Sequence, residues 1–208
     1  SPARRVRDNT IKHTLENVIE KKEVVISIAT TEMVQQVSLS SCDFKKGVDE
    51  FEKTGLTKLN SELVTPFLVK ESPVNFECKV NDIIELGDQG GAGNLVVCEI
   101  LKIHINKDIL DHNNKIDPLK LNAISRLGGN WYGKITKESV FQLDKPIGKI
   151  GMGFDSLPDE IKTSTILTAN DLAILASLEK IPEKINFLER EGNNLQEKHK
   201  LAKIYLNN

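Results

Sequence analysis

The sequence predicts a mainly β, α+β fold, and three observations carry that prediction. Two long segments, Pro73–Leu86 and Leu95–Ile109, are rich in β-branched and aliphatic residues and flank the glycine-rich stretch GDQGGAGN, the pattern of an antiparallel hairpin. The helical patterns elsewhere are short and do not alternate with strands, so the βαβ repeat of a parallel sheet is absent. A 39% apolar share supports a packed core, and 28% charged residues suit an ordinary globular surface. The whole is read as an α+β or barrel-type fold.

The elements follow in order. Thr10–Lys22 carries Ile11, Leu15, Val18 and Ile19 at helical spacing, with Asp8, Asn9 or Thr10 available to cap its start. Glu23–Thr30 (EVVISIAT) is β-branched and predicts a largely buried strand. Thr31–Ser41 predicts a second short helix, and Gly47–Thr54 one or two helical turns stopped by Gly55. Pro66–Val69 predicts a short strand. In Pro73–Leu86 the alternation puts Val74, Phe76, Cys78 and Val80 on one face and Asn75, Glu77, Lys79 and Asn81 on the other. Asp117-Pro118 opens a short helix, Pro being favoured at the first helical position, and that helix is expected to run to Gly128-Gly129. Asn130–Ile135 is a further strand. Beyond about Phe141 the character shifts: Lys145–Phe154 is a connector punctuated by Gly and Pro, and Ser156-Leu-Pro-Asp-Glu opens a helix. Asn170–Leu178 is apolar and helical, and Pro182–Asn208 is a charged helical segment broken near Gly192. The expected organisation is a domain over residues 1–150 and a helical extension over 151–208. The extension is too poor in apolar residues to fold alone, so it is expected to pack on the main domain or on a second subunit.

Charge and motifs exclude several classes. The chain has 208 residues, with 28 Lys+Arg against 30 Asp+Glu for a net −2, which lacks the basic excess of a nucleic-acid or membrane-surface binder. No apolar run approaches the roughly 18–20 residues that span a bilayer, and the start does not have the basic-then-apolar form of a signal peptide. Cys42, Cys78 and Cys98 are odd in number and widely spaced, so neither a disulfide framework nor a metal motif is expected, and a cytoplasmic setting is the simplest reading. His13, His104, His112 and His199 lack metal-ligand spacing, no metal is expected, and His104 reads as a surface or partly buried filler. No serine-nucleophile motif is present, and no catalytic residue is assigned. GDQGGAG lacks the order of a phosphate loop and reads as a turn whose glycines supply positive φ.

The N-terminus differs from all this. Residues 1–14 hold Arg4, Arg5, Arg7 and Lys12 against Asp8, a local +3 that leaves −5 for the rest. A small basic island on an otherwise acidic chain suits one small anion rather than a polyanion. Arginines just ahead of a helix N-terminus offer a phosphate bidentate guanidinium contacts, free N–H groups and a favourable dipole. A solvated basic face is the alternative reading of the same residues.

SPARRVRDNTIKHTLENV, followed by a strand, resembles the phosphate-binding segment of the flavin reductase-like, FMN-binding split-barrel family, the type of flavoredoxin and NAD(P)H:flavin oxidoreductase. GVDEFEKTGLT resembles the family's acidic turn before a glycine, and PVNFECKV…LGDQGGAGNLVVCEILKIHI its central hairpin. IDPLKLNAISRLGGNWYGKI resembles its closing Asp-Pro…Arg-x-Gly-Gly-x-x-Tyr signature. The four stretches occur in the family's order over residues 1 to about 136. Family members carry a portion ahead of the phosphate segment that supplies the first barrel strands and ring contacts. This chain, opening Ser-Pro-Ala-Arg-Arg without Met, is expected to start partway along a natural protein.

The resemblance implies a split β-barrel with short flanking helices, binding FMN as a homodimer with the flavin near the subunit interface. It implies a flavin reductase in which NAD(P)H gives hydride to the flavin and electrons pass to an acceptor, the cofactor carrying the chemistry. Carried onto matching positions, Ser1, Arg4 and Arg5 (the two arginines jointly) approach the FMN phosphate, with Lys12 and Thr14 from the helix start. Ala3 contributes through its N–H, and Asn17 follows on the helix. Tyr132 and Trp131 are candidates to shield the flavin or nicotinamide, with packing on a strand as the alternative. Asn130 is weaker. Ser40 and Ser41 could reach the flavin, though a helix C-terminal turn explains them equally. The helical extension is a candidate arm across the dimer. Two other functions share the fold and phosphate logic: a non-enzymatic FMN-binding electron carrier, and a split-barrel oxidase acting on a phosphorylated vitamin.

Overall fold

The computed structural model describes residues 2–143 and 145–181, and Ser1 and the segment from 182 onward lie outside the described residues. The chain divides after Phe141 into two compact units.

The first unit is organised on the long hairpin. Strand β1 (Glu23–Ser27) pairs antiparallel with β4 (Val74–Glu85), which pairs antiparallel with β5 (Asn94–Ile105), giving the order β1-β4-β5. The register sets Ile26, Phe76 and Ile103 side by side, and Val24, Cys78 and Ile100 in the next row. Register shifts between Glu77 and Cys78 and between Val80 and Asp82 mark β-bulges, which bend and twist the hairpin. Helix α1 (His13–Lys21) buries Leu15 and Val18 and ends on Lys22 in the left-handed conformation. A 3-10 turn (Thr31–Met33) leads into α2 (Val34–Leu39), and α3 (Glu50–Thr54) is capped by Asp49, whose side chain accepts from Phe51 N, and closed by Gly55 at φ 68. A small pair, β2 (Lys58–Leu59) with β3 (Leu68–Val69), follows. The strand expected at Pro66–Val69 forms only at its last two residues, and its partner β2 carries no alternation that would mark it.

Two element ends differ from the sequence reading by four residues or more. The strand drawn to Ile109 stops at Ile105, because the Asn106 side chain accepts from Asp108 N and starts a 3-10 turn (Lys107–Ile109) that buries Ile109. The helix drawn to Gly128-Gly129 is a single turn, α4 (Pro118–Leu121), capped at its start by Asp117 and ended by Asn122 at φ 49. The next residues form β6 (Ile124–Gly128), which pairs with β7 (Trp131–Lys134) across a turn whose Gly128 and Gly129 both have positive φ. Asn can take the left-handed cap that the sequence reading assigned to glycine alone.

Asn75 and Glu77 are buried although they lie on the polar face of β4. They are the seats of the 61–72 loop. Glu77 Oε1 accepts from Glu62 N at 3.0 Å, and its Oε2 accepts from Leu63 N at 2.6 Å and Val64 N at 3.1 Å. His104 Nε2 lies 2.6 Å from Oε1. Asn75 accepts from Val69 N and donates to the carbonyls of Val69 and Ser72. Burial alone would raise the Glu77 pKa, yet the three N–H donors and His104 outweigh it and hold the carboxyl at about 2. His104 therefore has a buried carboxylate as its partner.

The second unit has a small apolar cluster of its own, Leu157, Leu167 and Leu172, with Met152, Ile161, Leu175 and Ala176 packed against it. It contains a 3-10 turn (Phe154–Ser156), α5 (Asp159–Lys162) and α6 (Ala169–Ala176), the last closed at its start by a reciprocal capping box between Thr168 and Asp171. The sequence boundary at 150 falls inside this unit, which begins at Gln142; Met152 N donates to Leu178 O at 2.7 Å and Gly153 N to Ala176 O at 3.0 Å. The helix expected over 182–208 lies outside the described residues. No helix among the described residues is long and apolar enough to cross a membrane.

A carboxylate held near pKa 2 contributes stability that is present above its ordinary value of 4.5 and is lost as pH falls towards 2. Urea unfolding should therefore show a falling midpoint between pH 4.5 and 2. Glu77→Gln should lose about 2–4 kcal/mol at pH 7, because an amide nitrogen would face backbone N–H donors, and should flatten that acid dependence.

Candidate functional site

The site is built from the N-terminal basic segment, which lies against the glycine-rich tip of the β4–β5 hairpin. Arg4 N donates to Ala92 O at 2.9 Å and Gly91 N to Arg4 O at 3.0 Å, while both Asn94 N and Asn94 Nδ2 donate to Pro2 O. Ala3 forms an isolated antiparallel bridge with Gly93. Further along, Asn9 Nδ2 donates to Asp88 O at 2.8 Å. The glycines do more than turn the chain. A Cβ on Gly90 would sit 3.0 Å from Val6 O and 3.1 Å from Arg5 O, so only glycine lets the segment approach this closely.

Docked in this way, residues 5–10 form a turn, with Arg5 N donating to Thr10 O at 2.8 Å and Asn9 N to Arg5 O at 2.9 Å. Asp8 Oδ1 accepts from Thr10 N and from Thr10 Oγ1, the second at 2.6 Å. Those two hydrogen bonds from Thr10, the side-chain one foremost, hold the Asp8 carboxyl at about 2. Thr10 Oγ1 in turn accepts from Arg5 Nη1 at 3.1 Å, and Nη1 also donates to Ile11 O. The Arg5 side chain is 15% exposed and thus fixed before any ligand arrives.

Beside it opens a hollow of about 430 Å³ lined by Pro2, Ala3, Arg5, Lys12, His13, Thr14 and, from the chain after α2, Ser40 to Phe44, with Glu50. Two cations, Arg5 and Lys12, reach it from the segment leading into α1, and the Thr14 hydroxyl from the first turn of α1, whose first N–H groups, like those of any helix, lack intrahelical acceptors. Ser40 and Ser41 line the hollow, and their Oγ atoms both donate to Val37 O, at 2.7 and 3.4 Å, which leaves each oxygen free to accept. A carboxylate already occupies one edge of the guanidinium, Asp43 Oδ1 lying 3.4 Å from Arg5 Nε.

Of the residues singled out from the sequence, Ala3, Arg5, Lys12 and Thr14 line this hollow, as do Ser40 and Ser41. Arg4 turns elsewhere: Nη1 donates to Asn9 O at 3.2 Å, Nη2 lies 3.9 Å from Glu85, and its buried Nε has no hydrogen-bond partner. Asn17 lines two adjoining hollows along α1, one lined also by Lys45, Lys46 and Phe51, the other by Val25, Phe51 and Phe67. Tyr132 stands on β7 and not at the hollow. Its hydroxyl accepts from Arg126 Nη1 at 3.1 Å, and the Arg126 guanidinium lies 5.5 Å from its ring centre. Ser1 lies outside the described residues. The sequence reading missed His13, Cys42, Asp43 and Phe44. Cys42–Phe44 belong to an irregular stretch without a motif, and only the fold brings them to the arginine.

Comparison with known proteins agrees with this architecture. Residues 9–120 match the family model of the flavin reductase like domain, more than half of the chain. The chain belongs to the flavin reductase-like family. An uncharacterized protein of Aquifex aeolicus is 35% identical over 127 residues, covering 61% of this chain and 63% of that relative. This flavin reductase-like chain spans about two thirds of the length of the curated relatives it matches. Among solved structures, nitrilotriacetate monooxygenase component B from Bacillus cereus superposes with a TM-score of 0.61 at 27% identity, covering 68% of this chain and 69% of that one. A flavin reductase with a split barrel domain from Shewanella frigidimarina gives 0.57 at 23% identity, covering 64% and 65%, and shows the same fold. The flavin reductase-like domain here is accordingly a split barrel, represented by the β1-β4-β5 sheet and its flanking hairpins.

Gly90→Ala should push the basic segment a few tenths of an ångström away from the hairpin tip and loosen its docking. Its thermal midpoint should fall by a few degrees, on the order of the 1–3 kcal/mol of an overpacked contact. Trypsin should cleave after Arg5 or Arg7 faster than in the unaltered chain.

Proposed function

We propose that the hollow beside α1 takes the phosphate of FMN, and that the chain contributes the phosphate-holding end of an NAD(P)H-dependent flavin oxidoreductase. The carrying observation is Arg5: largely covered, held by Thr10 and Ile11 through Nη1, and presenting its Nε side to a hollow that Lys12 and Thr14 also line. The donor set fits a phosphate, since a guanidinium, an ammonium and hydroxyls converge on one small volume, and a carboxylate oxygen of Asp43 already rests on the guanidinium. Membership of the flavin reductase-like family supports the choice of flavin.

Bound FMN would supply the redox chemistry, taking a hydride from NAD(P)H and passing electrons to an acceptor. The residues of this chain have a narrower task. Arg5 and Lys12 neutralise the phosphate dianion, Thr14 adds a hydroxyl, and the N-terminus of α1 contributes its dipole. Asn17, one turn after Thr14, follows on the side of α1 that lines the adjoining hollows. The absence of an assigned acid–base pair is consistent with a reaction whose chemistry the cofactor carries. As part of the same proposal, a homodimer would cover the sheet face on which Ile26, Ile100, Ile103 and Ile105 are each about half exposed.

Two measurements test this reading. In equilibrium binding, FMN should bind more tightly than riboflavin. Arg5→Ala should weaken FMN by about 10- to 100-fold, the range of a charge-assisted hydrogen bond, and leave riboflavin unchanged, whereas Arg4→Ala should have the smaller effect. Equal affinities for FMN and riboflavin would refute the phosphate site. In the flavin-loaded protein, the visible absorption should bleach on anaerobic addition of NADH or NADPH; flavin that stays oxidised would favour the electron-carrier function.

A further inference from the structure

The pairing of Asp43 with Arg5 has a direction that the local geometry reveals. Nη1 of Arg5 is committed to Thr10 Oγ1 and Ile11 O, so the guanidinium keeps its place without help from Asp43. What remains for a ligand is the Nε and Nη2 side, the fork that binds a tetrahedral anion bidentately. Asp43 Oδ1 lies on that side, 3.4 Å from Nε, and Arg5 is the one hydrogen-bonding partner of its carboxylate among the described residues. Its side chain is 56% exposed and sits in the irregular stretch between α2 and α3. A half-exposed pair with a single long contact is weak, yet its position makes it a competitor for the same nitrogen. A second acid, Glu50, lines the same hollow, so an arriving phosphate dianion meets two like charges as well as Arg5 and Lys12.

We propose that Asp43 is an internal stand-in anion: it holds the binding edge of Arg5, must be displaced by an incoming phosphate, and thereby lowers the affinity for FMN. This inference rests on the phosphate reading of the hollow. It makes Asp43 an affinity-determining residue.

The test uses the purified chain with three probes: FMN, riboflavin and inorganic phosphate. Asp43→Asn should tighten FMN by about three- to tenfold, as expected for removing one nearby like charge and one competing contact, with riboflavin unchanged. Inorganic phosphate should raise the thermal midpoint of Asp43→Asn at lower concentration than it does for the unaltered chain. Asp43→Ala should behave as Asp43→Asn, and in the Arg5→Ala background the gain should vanish. FMN affinity that is unchanged or weaker in Asp43→Asn, in a chain that does prefer FMN to riboflavin, overturns the stand-in and leaves the phosphate site intact. A chain with no preference for FMN over riboflavin overturns both.

Discussion

The hydrogen bonds between the N-terminal segment and the tip of the β4–β5 hairpin are the constraint on which the site depends. They run through Pro2, Arg4, Gly91, Ala92 and Asn94, mostly from backbone to backbone, so they are insensitive to side-chain identity except at the glycines and at Asn94. Their consequence is electrostatic. Four cations within residues 1–14 would be a diffuse basic tail if the segment were free. Docked, it sends Arg4 towards the hairpin and Arg5 into the hollow, and the turn stapled by Asp8 and Thr10 fixes the second guanidinium at the start of α1.

A second constraint supports the first from the opposite end of the hairpin. The 61–72 loop is fastened to β4 by a buried carboxylate and a buried amide, Glu77 and Asn75. Neither would persist in the interior without near-complete hydrogen bonding, since an unpaired buried charge or amide is costly. Because three of Glu77's four partners are backbone N–H groups, the loop needs a carboxylate there and little else. The apolar residues opposite, Val74, Cys78 and Val80, are free to pack on the other face of the same strand. Burial also pushes the Cys78 thiol pKa up, which leaves it a packing residue rather than a reactive one.

The strands of the hairpin, the helix after the basic island and the cap at Asp117-Pro118 were all legible, because each is set by a local period or a local cap. Membership of the flavin reductase-like family was legible too, since four short motifs kept their order even though each alone is mostly hydrophobic pattern and turn residues. The end of α4 was misplaced because Asn122 and Gly128 are both capable of the left-handed conformation, and only the pairing of β6 with β7 selects between them. The polar face of β4 gave no sign that it would be buried, because alternation reports which residues share a face and not what covers that face.

By itself, the sequence determined where charge and apolar pattern lie along the chain: a basic island ahead of a helix, a long antiparallel hairpin, short helices between. Those properties depend on neighbours a few residues away. Only the tertiary structure decided which of two adjacent arginines faces the hollow, that Asp43, 38 residues further on, would meet it, and that a glycine turn would serve as the seat of the N-terminal segment. Each of these is a contact between distant parts of the chain, fixed by backbone geometry and close packing that no local period encodes.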